Sequence, residues 1–206
     1  MERRGIIATT MANMNLIYQD VGKVVQIVEQ KMENENFEAL SNAAVTWETS
    51  TSLWNPDLWL YRWFARAYYR PSQPKRVVGF CVHLGAYDDP FVEDAERRPG
   101  FFPFVNVSLL RLNQKLEDLR RTDVYECLWS AGWDRDTKDI ATGRIIVRNR
   151  VSYETVEANA VTYFVDLLKL IHEEAIEQLI VEPMARMFEG DEDWVEKAGV
   201  EAVQLI

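Results

Sequence analysis

The sequence predicts an α+β fold: a mostly antiparallel sheet of about five strands, with an N-terminal helix and a long C-terminal helix packed on one face. Three observations lead there. Helical periodicity is strong near the N-terminus, strand-like runs joined by polar turns fill the middle, and four-residue apolar spacing returns after Glu154. Helices gathered at the two ends of a run of strands, rather than alternating with them, favour α+β over a βαβ order.

The first helix is expected over residues 14–32. Ile17, Val21, Val24, Val28 and Met32 recur at steps of three and four, which makes one apolar stripe on a helix. Asn34 and Asn36 are its stop signals. Residues 43–52 lean towards a strand, with Val45, Trp47, Thr49 and Thr51 on one alternating face.

Between Trp54 and Tyr69 the chain places seven aromatic residues in sixteen positions, with Arg62, Arg66 and Arg70 among them. Asn55-Pro56 would suit a helix start, and arginines four apart would share a helical face. Four is also an even number, so they equally share one face of a strand. The aromatic density favours the strand. So does the turn at Pro71-Ser72-Gln73-Pro74, followed by a β run from Arg76. The expectation is a hairpin pairing residues 58–70 with 76–87.

Residues 102–112, 124–133 and 144–153 follow as strands, with a short helix over 113–121 between the first two. From Glu154 to Ile180 the positions Ala160, Phe164, Leu167, Leu168, Ile171, Ala175 and Leu179 predict a long helix, which Pro183 should kink or end. One domain is expected over residues 14–190. Residues 1–13 read as a disordered tail. Residues 191–206 read as a tail that is first acidic and then apolar, and Val203, Leu205 and Ile206 would suit exchange in a homodimer.

A chain of 206 residues with 48% hydrophobic side chains can bury a sizeable core. Its net charge is −10, which argues against nucleic acid as a partner. The charge is uneven: residues 62–150 hold 16 basic and 12 acidic side chains, and the flanks hold 7 and 21. No apolar run approaches a membrane span, and none near the N-terminus completes a signal peptide. Cys81 and Cys127, outside any CxxC spacing, fit a reducing, cytoplasmic setting. The glycines form no phosphate loop or dinucleotide fingerprint, and no cofactor is expected.

Candidate chemistry is sparse. Cys81 and His83 lie two apart on an expected strand and so share a face, the minimum for a thiolate–imidazole nucleophile. Asp88 or Asp89 would be the group orienting the imidazole. Asp88, Asp89, Glu93 and Asp94 lie in the stretch between Gly85 and Gly100 and supply oxygen ligands suited to Mg²⁺ or Ca²⁺. Asp134, Asp136 and Asp139 resemble the opening of a calcium loop, but its glycine is missing and Ile145 stands where a bidentate Glu belongs. His172 has no second His four residues on, so the zincin pattern is absent.

The broadest expectation comes from the pleat. If the faces coincide, Arg62, Arg66 and Arg70, Cys81 and His83, Asn106 and Ser108, and Arg148 and Arg150 form a polar, arginine-rich side of the sheet opposite the helices. Such a side would receive a small anionic ligand or an acidic protein partner. The sequence therefore reads as a non-catalytic ligand- or protein-binding module using an aromatic and arginine-rich sheet face. The alternative is a small enzyme acting on an anionic substrate through Cys81 and His83, or through a metal held by residues 88–96.

Overall fold

The computed structural model describes residues 3–42, 45–47, 63–84, 103–133 and 146–197. It is an α+β fold built on an antiparallel sheet. The strands are β1 (Glu38–Ala39), β2 (Val45–Trp47), β3 (Trp63–Tyr69), β4 (Arg76–His83), β5 (Phe104–Leu112), β6 (Val147–Tyr153) and β7 (Val156–Asp166). Their order is β1-β3-β4-β5-β7-β6, and β2 shares the β3 edge with β1. The helices are α1 (Arg3–Asn34), α2 (Arg121–Trp133), α3 (Glu173–Ile176), α4 (Glu182–Glu189) and α5 (Trp194–Lys197).

The sheet is covered on both sides. On one face Tyr68, Phe80, Val107, Val161 and Tyr163 pack with Val21, Val24, Val28 and Met32 of α1, and with Ile180, Met184, Met187 and Phe188 of the C-terminal helical run. On the other, Ala65, Ala67, Cys81, Leu110 and Ala158 pack with Val124, Tyr125, Leu128 and Ala131 of α2. Each fully buried Val, Leu, Ile, Met or Phe among them contributes about 1.5–3 kcal/mol, so both layers are strong determinants of the fold. Gly79 brings the second layer close: a Cβ there would lie 2.9 Å from Leu128 Cδ2 and 2.6 Å from the Arg66 carbonyl oxygen.

The hairpin at the aromatic run is present. Its register pairs Trp63 with His83 and Tyr69 with Val77, around the Pro71–Pro74 turn. Trp63 and Tyr68 are fully buried, and Trp63 stacks on Trp129 of α2 at 6.4 Å. Of the run's described aromatics, Trp63 and Tyr68 are therefore core residues, while Phe64 and Tyr69 are half-buried against the core. Helix α1 ends where expected, with Asn36 in the left-handed region at φ 61° and the Phe37 N–H returning to the Met32 carbonyl at 3.0 Å. It begins earlier than expected, and residues 3–13, read as a tail, belong to it.

Two expected elements are corrected. Residues 124–133 are helix α2 and not a strand. Asp123 to Leu128 are buried without a break, and an element covered on all sides loses the periodicity that tells helix from strand. Residues 156–166 are strand β7 and not the start of a long helix. The four-residue spacing that suggested a helix is even, so it also marks one face of a strand. The β-branched and aromatic run Val161-Thr162-Tyr163-Phe164-Val165 decides for the strand.

The C-terminal helix accordingly starts at Glu173. It passes through a π-helical segment, Glu177–Val181, before α4. Pro183 does not end it. An α-helix would bond the residue-183 N–H to the Leu179 carbonyl, and proline has no such N–H. The Tyr163 hydroxyl on β7 donates to that carbonyl instead, at 2.5 Å. Gly190, at φ 108°, closes α4.

Candidate functional site

An open groove of about 420 Å³ lies between α1 and the β1–β3 edge, lined by Val25, Gln26, Glu29, Gln30, Glu33, Asn42 and Arg66. Its walls follow from the α1 stripe. Val21, Val24, Val28 and Met32 turn to the core, so the polar positions 26, 29, 30 and 33 flank them along one side of the helix. The floor is Arg66, 5% exposed and set between the small residues Ala65 and Ala67.

Arg66 grips Glu29 with two prongs. Its Nε donates to Glu29 Oε2 at 2.7 Å and its Nη2 to Oε1 at 2.5 Å. The third arm, Nη1, donates to the Ser41 carbonyl. The Tyr68 hydroxyl also donates to Glu29 Oε2, at 3.0 Å. Ser41 Oγ lies 2.9 Å from the Tyr125 hydroxyl of α2, so one network joins α1, β3, the segment after β1 and the opposite helical layer. Fork-to-carboxylate pairs of this kind are among the stronger hydrogen-bonded contacts in proteins.

The electrostatics keep Glu29, Arg66 and Tyr68 in their ordinary charge states. Burial raises the Glu29 pKa, but hydrogen bonds from Arg66 and Tyr68 and the guanidinium charge outweigh it, and the carboxyl ends below its usual value. Burial, followed by the Glu29 carboxylate, pushes the Tyr68 phenol far above its ordinary range. A general acid or base works best with a pKa near the operating pH, and both groups move away from it. The cleft is arranged to hold charge in place.

Most of the other described arginines on this face are held by the chain's own C-terminal segment. Arg70 pairs with Glu189, and its guanidinium lies 4.2 Å from the Phe37 ring centroid. Arg76 donates to the Met187 carbonyl at 3.0 Å. Arg111 pairs with Glu192, and Arg148 with Asp193. Arg150 pairs with Glu157 on the neighbouring strand. Register places Arg76 directly opposite Arg111, a like-charge pair that costs stability unless acids screen it. Burial and the Arg111 charge both lower the Arg76 pKa.

The expected polar face is thereby corrected. Arg66 pairs across the sheet with Phe80, whereas Cys81 pairs with Ala65 and Asn106. Arg66, Arg148 and Arg150 therefore lie on the α1 side. Cys81, His83, Asn106 and Ser108 lie on the α2 side, buried beneath that helix. They do not form one surface: the second set is buried, and of the first Arg66 is buried while Arg148 and Arg150 are exposed on the edge strand β6.

On the α2 side a row of hydrogen bonds crosses three strands. Asn106 Nδ2 reaches the Leu128 carbonyl and Ser108 Oγ, both at 3.2 Å. A carbonyl only accepts, so this atom is the amide nitrogen and Asn106 Oδ1 is the acceptor for His83 Nε2 at 2.6 Å. His83 Nε2 therefore carries the hydrogen. Ser108 Oγ in turn meets Thr162 Oγ1 at 2.8 Å. The His83 ring stacks on Phe104 at 4.4 Å. Cys81 is fully buried, and desolvation with the Glu126 charge pushes its thiol well above the usual value. A thiolate nucleophile needs the opposite shift.

Arg62, Asp88, Asp89, Glu93 and Asp94 lie outside the described residues, as do Asp134, Asp136 and Asp139. Among the described residues no group of three His, Cys, Asp or Glu side chains could hold a metal ion. His172 is exposed just before α3. Sequence reasoning missed Glu29, Ser41, Tyr68 and Tyr125 as partners of Arg66. For Glu29 the signal was the charge asymmetry, since acidic flanks and a basic middle are complementary within one chain; the uncharged Ser41, Tyr68 and Tyr125 carried none. Compared with protein-family models, curated proteins and solved structures, the chain matches none of them.

Proposed function

We propose that the protein is a non-catalytic binding module whose working surface is the cleft over the Arg66–Glu29 pair. The groove is shallow and open to solvent, suited to a partner's side chain rather than to an enclosed small molecule, and its polar lining is the observation that carries the reading. Glu29 and Glu33 outnumber Arg66 along its walls, and Gln26, Gln30 and Asn42 add amide donors and acceptors. This lining suits a cationic or hydrogen-bonding group, such as a lysine or arginine side chain of a partner protein, better than the anion that the arginines alone suggest. The buried, protonated Cys81 and the shifts of Glu29 and Tyr68 away from neutrality support binding over catalysis. Two free, buried cysteines suit a reducing intracellular setting. Among the described residues no helix is long and apolar enough to cross a membrane.

The test is a titration of isotopically labelled protein with N-acetyl-arginine amide and, separately, with N-acetyl-glutamate amide, followed by backbone NMR shifts. The cationic probe should move Gln26, Gln30, Glu33 and Asn42, and Glu33→Arg should abolish the response without loss of fold. Shifts confined to other regions, or a stronger response to the anionic probe, would overturn the reading.

A further inference from the structure

Arg76 and Arg111 stand opposite each other on β4 and β5, strands that run about 4.8 Å apart, yet the two are served differently. Arg111 pairs with Glu192, a carboxylate that also lies 4.0 Å from Arg148. Arg76 is half-buried and makes no ion pair among the described residues. Its Nη2 donates to the Met187 carbonyl at 3.0 Å, its Nε is buried without an acceptor, and its Nη1 has no protein partner.

A guanidinium taken partly out of water beside a like charge is costly unless something neutralises it. Burial and then the Arg111 charge lower the Arg76 pKa, and Glu189 offsets only part of that. Glu189 is itself engaged by Arg70. Along this end of the sheet Arg70, Arg76, Arg111 and Arg148 share Glu189, Glu192 and Asp193, and the shortfall falls on Arg76. Lys75, the residue before it, directs its ammonium to the neutral Asn113 carbonyl and adds a second uncompensated charge.

The surroundings hold the pair in place and leave it open to solvent. The Arg76 guanidinium lies 5.3 Å from the Phe188 ring centroid, and Arg111 is 45% exposed. Asn159 on β7 is level with Arg111 and exposed, so an amide continues the row on the next strand.

We propose that Arg76 and Arg111, together with Asn159, form a binding site for a phosphate group. An oxyanion bridging the two guanidiniums turns their repulsion into a shared attraction, and arginine forks match phosphate oxygens in pairs. A tetrahedral anion accepts from more directions than a planar carboxylate does. A phosphate monoester carries about −1.5 to −2 at neutral pH, which matches the uncompensated charges of Arg76 and Lys75. Glu192 is the chain's own competitor for Arg111 and holds the affinity down. The site is separate from the groove at Arg66 and does not depend on the reading given to that groove.

The test titrates the full chain, isotopically labelled, with sodium phosphate against chloride at constant ionic strength, followed by NMR of the arginine side chains and backbone. Phosphate should shift the Arg76 and Arg111 Nε–H signals along a saturating curve, and sodium acetate should shift them less. Arg111→Gln and, separately, Arg76→Lys should each weaken binding about tenfold or more, as the loss of charge-assisted hydrogen bonds implies, with the backbone spectrum still that of the folded protein. Glu192→Gln should tighten binding by releasing Arg111. Glycerol 2-phosphate separates the two sources of the group: tighter binding than inorganic phosphate assigns the site to a monoester, and equal binding assigns it to phosphate itself. The absence of a saturating shift at Arg76, an undiminished shift in Arg111→Gln, or a response to acetate as strong as that to phosphate would overturn the proposal and leave these arginines as fasteners of the C-terminal segment.

Discussion

Arg66 on β3 and Glu29 on α1 form a two-pronged ion pair in which the arginine is buried and the glutamate side chain is 37% exposed. The pair fixes the helix to the sheet edge at the floor of the cleft. Its exposed side makes it pH-dependent in a way that can be measured.

Glu29 has a folded pKa below its ordinary 4.5. Its contribution to stability is therefore complete above that ordinary value and is lost as pH falls through the lower folded value. Glu29→Gln should cost about 1–2 kcal/mol at neutral pH, the exposure of Glu29 reducing the figure for a buried pair. Urea unfolding from neutral to strongly acidic pH should show a shallower acid limb for the variant than for the wild type.

Tyr163→Phe removes the donor that serves the carbonyl orphaned by Pro183. An unpaired buried carbonyl costs about 1–3 kcal/mol, and the loss should appear in equilibrium unfolding. In the Tyr163→Phe background Pro183→Ala restores an N–H, so a double-mutant cycle should show that the two changes do not add.

Gly22 lies inside α1, and a Cβ there would meet nothing within 4 Å. Glycine in a helix interior costs roughly 0.5–1 kcal/mol relative to alanine. Gly22→Ala should raise the melting temperature with no change in the packing of Val21 or Val24.

Cys81 is fully buried with its thiol pushed up, and Cys127 is pushed up to about 12, chiefly by desolvation. Neither should react with iodoacetamide in the native state. Labelling should track global unfolding as denaturant rises. Fast, selective alkylation of Cys81 would restore the nucleophile reading.

The hairpin was legible because a proline-bounded turn separates an aromatic run from an apolar one, and both strands announce themselves locally. Helix α2 was not, because burial on all sides erases the periodicity by which a helix is recognised. Strand β7 was hidden by an even spacing that two periods share. The site was harder still. Whether Arg66 and Cys81 fall on one face depends on a single residue of register between β3 and β4, and no local pattern encodes that parity. Glu29 became readable as the partner of Arg66 only once α1 was laid across the sheet.

A regular α-helix turns about 100° per residue, so the winding of the Glu177–Val181 segment sets the angular phase of everything after it. Removing one residue there would rotate α4 by about that angle. Met184, Met187 and Phe188 would leave the core, and Glu182 and Arg186 would be carried towards it. Glu189, Glu192 and Asp193 would swing away from Arg70, Arg111 and Arg148. The match between the acidic end of the chain and its basic middle is thus a matter of rotation as much as of charge, and five residues of looser winding set the dial.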